Sequence, residues 1–227
     1  MIPLKDDNPT SSRPIVTYFL IGLCVVVFLM QLGSQSYRTG QLFYSYGLIP
    51  SVLMGHDQLP MDLYAVPAYV TIFSSMFMHG GWIHLIGNMW YMKIFADNIE
   101  DNLGSRNFII FYILCGIGAA MAQVLTDTHS QVPMVGASGA IGGVLGAYLI
   151  NHPNARVLVL IPYIIITIIK IRALYVLGFW FILQFISSGG GVAYAAHIGG
   201  FVSGMILILF FNKKKGKKTK IVKGPWG

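Results

Sequence analysis

The sequence predicts an all-α, polytopic membrane protein with six transmembrane helices. Three observations carry that prediction. The 227-residue chain is 55% hydrophobic and only 10% charged, with a mean hydropathy of +0.67, whereas a soluble domain carries about 25% charged residues. Six apolar stretches approach the roughly 20 residues that a helix needs to cross a hydrocarbon core. Lysine and arginine collect on one side of the resulting topology.

The first span, Ile15–Leu32, follows a polar segment containing Asp6 and Asp7. No small-residue cleavage site follows it, so it reads as a retained helix rather than a signal peptide. The next spans are Gly81–Ala96, Phe108–Leu125, Gly136–Ile150, Ile171–Ile186 and Val192–Phe211. The chain thus divides into an N-terminal segment (1–14), one membrane domain (15–211) and a basic tail (212–227). The connection Gly33–Pro67 is rich in tyrosine, which favours an ordered loop at the membrane interface. Cys24 and Cys115 fall inside apolar spans and read as buried thiols, not a disulfide framework.

Six spans put both termini on one side. That side holds 14 of the 15 lysines and arginines, seven of them between Lys213 and Lys223, and the opposite side holds Arg38. The positive-inside rule therefore places both termini in the cytoplasm of a cell-membrane protein. The lysine-rich tail reads as a topology signal that meets anionic headgroups, not as a nucleic-acid site.

Polar groups inside a bilayer are costly and mark function by default. The second span carries His84 and Asn88, four residues apart and so on one helix face. Ser138 opens the fourth span and His197 lies in the sixth. All four lie toward the outer face. The fourth span, Gly136–Asn151, is about 24 Å long as helix, short of a core of about 30 Å. The expectation is a helix that starts below the surface, met by a loop that faces protein or a water-filled cavity. His197 lies about 8 Å down its own helix, level with Ser138.

Gly142 and Gly146 form one small-xxx-small pair, and Gly200 and Gly204 another, which would let the fourth and sixth helices approach closely. Ser138 then comes within reach of His197. An alcohol nucleophile needs a base, and imidazole is the usual one. Acyl transfer also needs donors aimed at the developing oxyanion. His84, Asn88 and the backbone N–H groups of Gly136 and Ser138 are the candidates, with the helix dipole adding to the last of these. The eight acidic residues lie in loops, termini or helix ends, so a Ser–His dyad is expected, with Asp127 the one acid in the loop before Ser138.

These motifs resemble the rhomboid family of intramembrane serine proteases. The match covers roughly Phe77–Gly204: HGGWIHLIGN (79–88), GASG (136–139) and AHIGGFVSG (196–204), in the family's order on the second, fourth and sixth helices. The resemblance implies a serine endopeptidase that cuts transmembrane segments of other proteins, with Ser138 as nucleophile and His197 as general base. It places His84, Asn88 and the Ser138 N–H in the oxyanion hole. The family's fifth helix is often proposed as a lateral gate, and here it carries Phe179, Trp180, Phe181 and Phe185. The chain departs from the pattern twice. It lacks a Trp-Arg pair in the first outer loop, and Gly142 stands where some members have a tyrosine stacked on the histidine. Support for that loop and for His197 must come from elsewhere.

The expected partners are transmembrane protein substrates and the bilayer, with no cofactor, no metal and no nucleic acid. A non-catalytic family member that binds transmembrane clients is the alternative, although such proteins typically lose the serine or histidine. A transporter would need charged groups in the spans or an inverted repeat. A metalloprotease would need HExxH, whereas His79 and His84 are five residues apart with no acid between them.

Overall fold

A computed structural model of the chain describes residues 1–35, 40–162, 166–186 and 192–212. Arg38 and the lysine-rich tail from Lys213 lie outside them. Six long helices dominate: α1 (Ile15–Gly33), α2 (Trp82–Leu103), α3 (Ser105–Thr126), α4 (Ser138–Asn151), α5 (Ala173–Ile186) and α6 (Tyr194–Asn212). By length and composition α1, α3 and α6 are apolar enough to cross a membrane. The helix α2 has 22 residues but carries Lys93, Asp97, Glu100 and Asp101 toward its end. The helices α4 and α5 are apolar but have only 14 residues each.

The fold is not purely helical. Three strands form an antiparallel sheet in the order β1 (Ile2–Asp6), β2 (Arg156–Pro162), β3 (Ile166–Arg172). Ile2 pairs with Leu160 and Asp6 with Val157, while Arg156 pairs with Arg172 and Leu160 with Ile168. This corrects the all-α expectation, and the physical reason lies in the residue types. The stretches RVLVLIP and ITIIKIR are dense in β-branched side chains, which lose rotamer freedom in a helix and pack well on a pleated surface. The fifth helix accordingly begins at Ala173, after the strand, rather than at Ile171. The N-terminal segment is also structured. Tyr148 Oη donates to Asp6 Oδ2 at 2.5 Å, and Trp90 Nε1 donates to the Pro3 carbonyl at 2.6 Å.

The centre of the molecule is α4. Every residue from Gly139 to Tyr148 is buried, because glycine and alanine let α6 and α3 come close on two sides. A Cβ on Gly204 would stand 1.9 Å from the Gly143 carbonyl oxygen, and one on Gly146 would stand 2.1 Å from that of Phe201. The expected pairs Gly142/Gly146 and Gly200/Gly204 thus do face each other's helices, joined by Gly139 and Gly143.

The helix α1 buries Thr17, Leu20, Cys24, Phe28 and Gln31, spaced as one helical stripe. Its N-terminus is held by Glu100 of α2, a carboxylate only 1% exposed. Glu100 accepts from the backbone N–H groups of Val16 (2.9 Å) and Thr17 (2.8 Å), from Thr17 Oγ1 (2.8 Å) and from Ser105 Oγ (2.5 Å). An anion at a helix N-terminus answers donors that have no intrahelical acceptor. Glu100→Ala strands four donors at once and is expected to cost about 3 kcal/mol of stability. Thermal unfolding in detergent checks this, and Glu100→Gln, which keeps an acceptor, should fall between the two.

The connection between α1 and α2 is tied down at several of its described residues. Leu48 and Met134 exchange two backbone hydrogen bonds, at 3.0 and 2.8 Å. Ser51 N donates to the Ser130 carbonyl at 3.0 Å, and the His56 and His129 rings stack with centroids 4.1 Å apart. The loop that leads to Ser138 is therefore tied to the connection between α1 and α2 without a Trp-Arg pair. Asp127 accepts the His129 N–H at 3.0 Å and closes that turn.

Candidate active site

Ser138 is the first residue of α4, and His197 lies in the first turn of α6. The close glycine packing of these helices brings His197 Nε2 to 2.8 Å from Ser138 Oγ. Both residues are half-buried and line a cavity of about 1040 Å³ that also holds His84, Asn88 and Gly136. The start of α6 is fixed by α3, where Gln123 Oε1 accepts the Ala196 N–H at 3.2 Å.

The second ring nitrogen of His197 meets a side chain that the sequence reading passes over. His197 Nδ1 is 2.8 Å from Gln184 Oε1 of α5, and Gln184 Nε2 donates to the Trp180 carbonyl at 2.7 Å. The search for a partner among acids misses an amide. A polar residue within the apolar run FWFILQFI is the signal that finds it.

The donors stand as follows. Asn88 is buried, and its Nδ2 has no hydrogen-bond partner among the described residues. A buried NH₂ group without an acceptor is uncommon enough to call for an explanation. His84 Nδ1 accepts the Gly80 N–H at 3.3 Å, which leaves the ring hydrogen on Nε2. That Nε2 lies beside Gly136, 2.6 Å from where a Cβ would stand, and Gly136 has φ +128°. The Ser138 N–H belongs to the first turn of α4, where N–H groups have no intrahelical acceptor. Gly136 departs from expectation. Its own N–H donates to the Ser75 carbonyl at 2.9 Å, so it contributes a left-handed turn and room for the His84 ring rather than an oxyanion donor.

Gln31 of α1 secures the HGG loop from behind. It accepts the His79 N–H at 3.1 Å and donates to the His79 carbonyl at 3.3 Å. The four aromatics of α5 separate into two roles. Phe179 and Phe185 are exposed. Phe181 stacks on Phe201 of α6 with centroids 4.4 Å apart, and Trp180 lies against His197 at 5.7 Å and 34°. Among the described residues no group of three or more His, Cys, Asp or Glu is arranged to hold a metal.

The sequence profile of the rhomboid domain matches residues 67–214, well over half the chain. The chain belongs to the rhomboid family. It is 33% identical over 138 residues to RHOMBOID-like protein 5 of Arabidopsis thaliana, covering 60% of this chain and 42% of that protein. It is 29% identical over 197 residues to the rhomboid protease GluP of Bacillus subtilis, covering 86% of this chain and 34% of GluP. A third relative, the putative rhomboid protease YdcA of Bacillus subtilis, is 29% identical over 149 residues, 65% of this chain and 69% of YdcA. The match thus spans less than half the length of the first two. As a rhomboid, this chain is a multi-pass membrane protein, of a family that acts within the bilayer and that includes both proteases and non-catalytic members.

Proposed function

We propose that this rhomboid is an intramembrane serine endopeptidase working through a Ser138–His197 dyad. The observation that carries the reading is the 2.8 Å contact between His197 Nε2 and Ser138 Oγ in a cavity that also holds the unpartnered Asn88 Nδ2. His197 Nε2 takes the hydroxyl proton as Ser138 Oγ bonds to the scissile carbonyl carbon. The carbonyl oxygen becomes an oxyanion that accepts from Asn88 Nδ2, His84 Nε2 and the Ser138 N–H. Collapse breaks the C–N bond, and the imidazolium returns its proton to the leaving amine. Water, activated by the same base, then hydrolyses the acyl ester and regenerates the Ser138 hydroxyl.

Six helices cross the membrane in this reading, with both termini on the cytoplasmic side of a cell membrane and the cavity opening toward the outer face. The short α4 supports it: 14 residues span about 21 Å, so the serine starts below the surface. Substrates are transmembrane segments that approach from the bilayer. Helical backbone hides its carbonyls, so a substrate must unwind locally, and small or helix-breaking residues near its outer end are favoured.

A serine-reactive fluorophosphonate tests the reading against a non-catalytic role. Labelling in native membranes should give a phosphonyl adduct on Ser138, absent from Ser138→Ala and strongly reduced in His197→Ala. A folded wild-type chain that never forms the adduct would instead be a binder of transmembrane clients.

A further inference from the structure

We propose that Gln184 of α5 is the positioning residue for His197, so that the general base is aligned only while the fifth helix is seated against α6. This rests on the dyad reading above and deepens it.

The hydrogen-bond chain has one consistent assignment. The Trp180 carbonyl can only accept, so the Gln184 group 2.7 Å from it is the NH₂. The amide oxygen therefore faces His197 Nδ1 at 2.8 Å, and an oxygen can only accept. Nδ1 must carry the ring hydrogen. Nε2 then presents its lone pair to the Ser138 hydroxyl, also at 2.8 Å. Gln184 thus selects the tautomer that can act as base, the task a buried carboxylate performs in a triad. It does so without a charge. Among the described residues no carboxylate bonds to His197; the titratable groups nearest it are Tyr194 on its own helix, with ring centroids 6.3 Å apart, and His84 from α2 across the cavity.

The helix of origin gives the arrangement its consequence. On α5, Ile182, Phe185 and Ile186 are 58%, 62% and 72% exposed, whereas Gln184 is 9% exposed. One polar side chain is turned inward on an otherwise outward-facing turn. Trp180, one turn earlier, lies beside the imidazole with ring centroids 5.7 Å apart, and its Cη2 lies 3.7 Å from where a Cβ on Gly142 would stand. The tryptophan fills the space that a side chain on α4 would need. Both supports of the base therefore come from α5. That helix is fixed at its inner end, where the Ala173 N–H donates to the Ala155 carbonyl at 2.8 Å, and meets α6 near the site through the Phe181–Phe201 stack. Displacing the outer half of α5 removes the acceptor and the neighbouring indole together, and His197 loses its tautomer and orientation.

The test uses full-length protein in lipid vesicles, with a transmembrane reporter substrate, over a range of pH. Gln184→Leu should lower kcat about 10²-fold, the loss expected from a small misplacement of a reacting group, with KM within about twofold. Gln184→Glu keeps an acceptor and should recover most of kcat. Its carboxylate favours the imidazolium, so the acid limb of kcat/KM should move to higher pH. Ile182→Ala, on the exposed side of α5, should behave as wild type. Wild-type kcat and pH profile in Gln184→Leu would overturn the proposal. So would a Glu variant that neither recovers kcat nor shifts the limb, a pattern that a purely structural side chain would give. Should Gln184→Leu unfold, the Glu variant decides by its acid limb. A wild-type protein that neither cleaves nor forms a Ser138 adduct overturns the dyad reading and this proposal with it. An active wild type with an indifferent Gln184 overturns this proposal alone.

Discussion

Ser138→Ala and His197→Ala are each expected to lower kcat/KM on a transmembrane reporter by about 10⁴-fold or more, and the double variant should be no worse than either single one. The reason is that in the proposed dyad the two side chains act as one unit. In acylation His197 Nε2 takes its proton from Ser138 Oγ, 2.8 Å away, and the hydroxyl without its base is a poor nucleophile. Losses that added up in the double variant would mean that the two residues act independently. Initial rates of the three variants beside wild type, at matched amounts of folded protein, check this.

The second large effect is expected at Asn88. Asn88→Ala should lower kcat by about 10²–10³-fold, the range found on removing one oxyanion donor, while KM changes little. Asn88 Nδ2 has no hydrogen-bond partner in the resting site among the described residues, so its removal takes away a contact made chiefly as charge develops on the carbonyl oxygen. Stability should hold or rise slightly, because a buried unpaired donor is lost. A variant with unchanged kcat and raised KM would show that Asn88 binds substrate rather than the transition state. Steady-state kinetics with a thermal-unfolding control separate the two.

Much of the helical framework was legible because its physics is local in sequence. Apolar runs of spanning length, the small residues of GASGAIGGVLGA and the polar positions at His84, Asn88, Ser138 and His197 are all readable one segment at a time. The paired glycines even indicate which helices approach, and the structure puts Gly204 and Gly146 against carbonyls of the partner helices.

The rest depended on contacts that cross the chain. The three-stranded sheet joins residues 2–6 to 156–172. In a chain this apolar, its β-branched runs do not alternate with polar residues and so carry no period-two signal. Glu100 looks like a charge at a helix end, and its burial against the N-terminus of α1 follows only from the packing of three helices. Gln184 and Gln31 escaped because neutral amides resemble ordinary interruptions of an apolar span. Gly136 was read for its N–H, whereas the fold uses its missing Cβ.

The departures from the family pattern find answers in the same contacts. At position 142, where some members carry a tyrosine, this chain has glycine, and α5 sends Trp180 toward His197. In place of a Trp-Arg pair, the Leu48–Met134 pairing and the Ser51–Ser130 hydrogen bond tie the connection between α1 and α2 to the loop before Ser138.

Whether Ser138 cuts peptide bonds inside the membrane is decided by the masses of the products. Wild-type and Ser138→Ala protein are placed in lipid vesicles with a reporter of one transmembrane segment, and the fragments are weighed. Two fragments joined within the outer half of that segment, from the wild type alone, are the predicted result. Cleavage by Ser138→Ala at the wild-type rate, or a folded wild type that yields no such fragments from any helix-destabilised reporter, would contradict it.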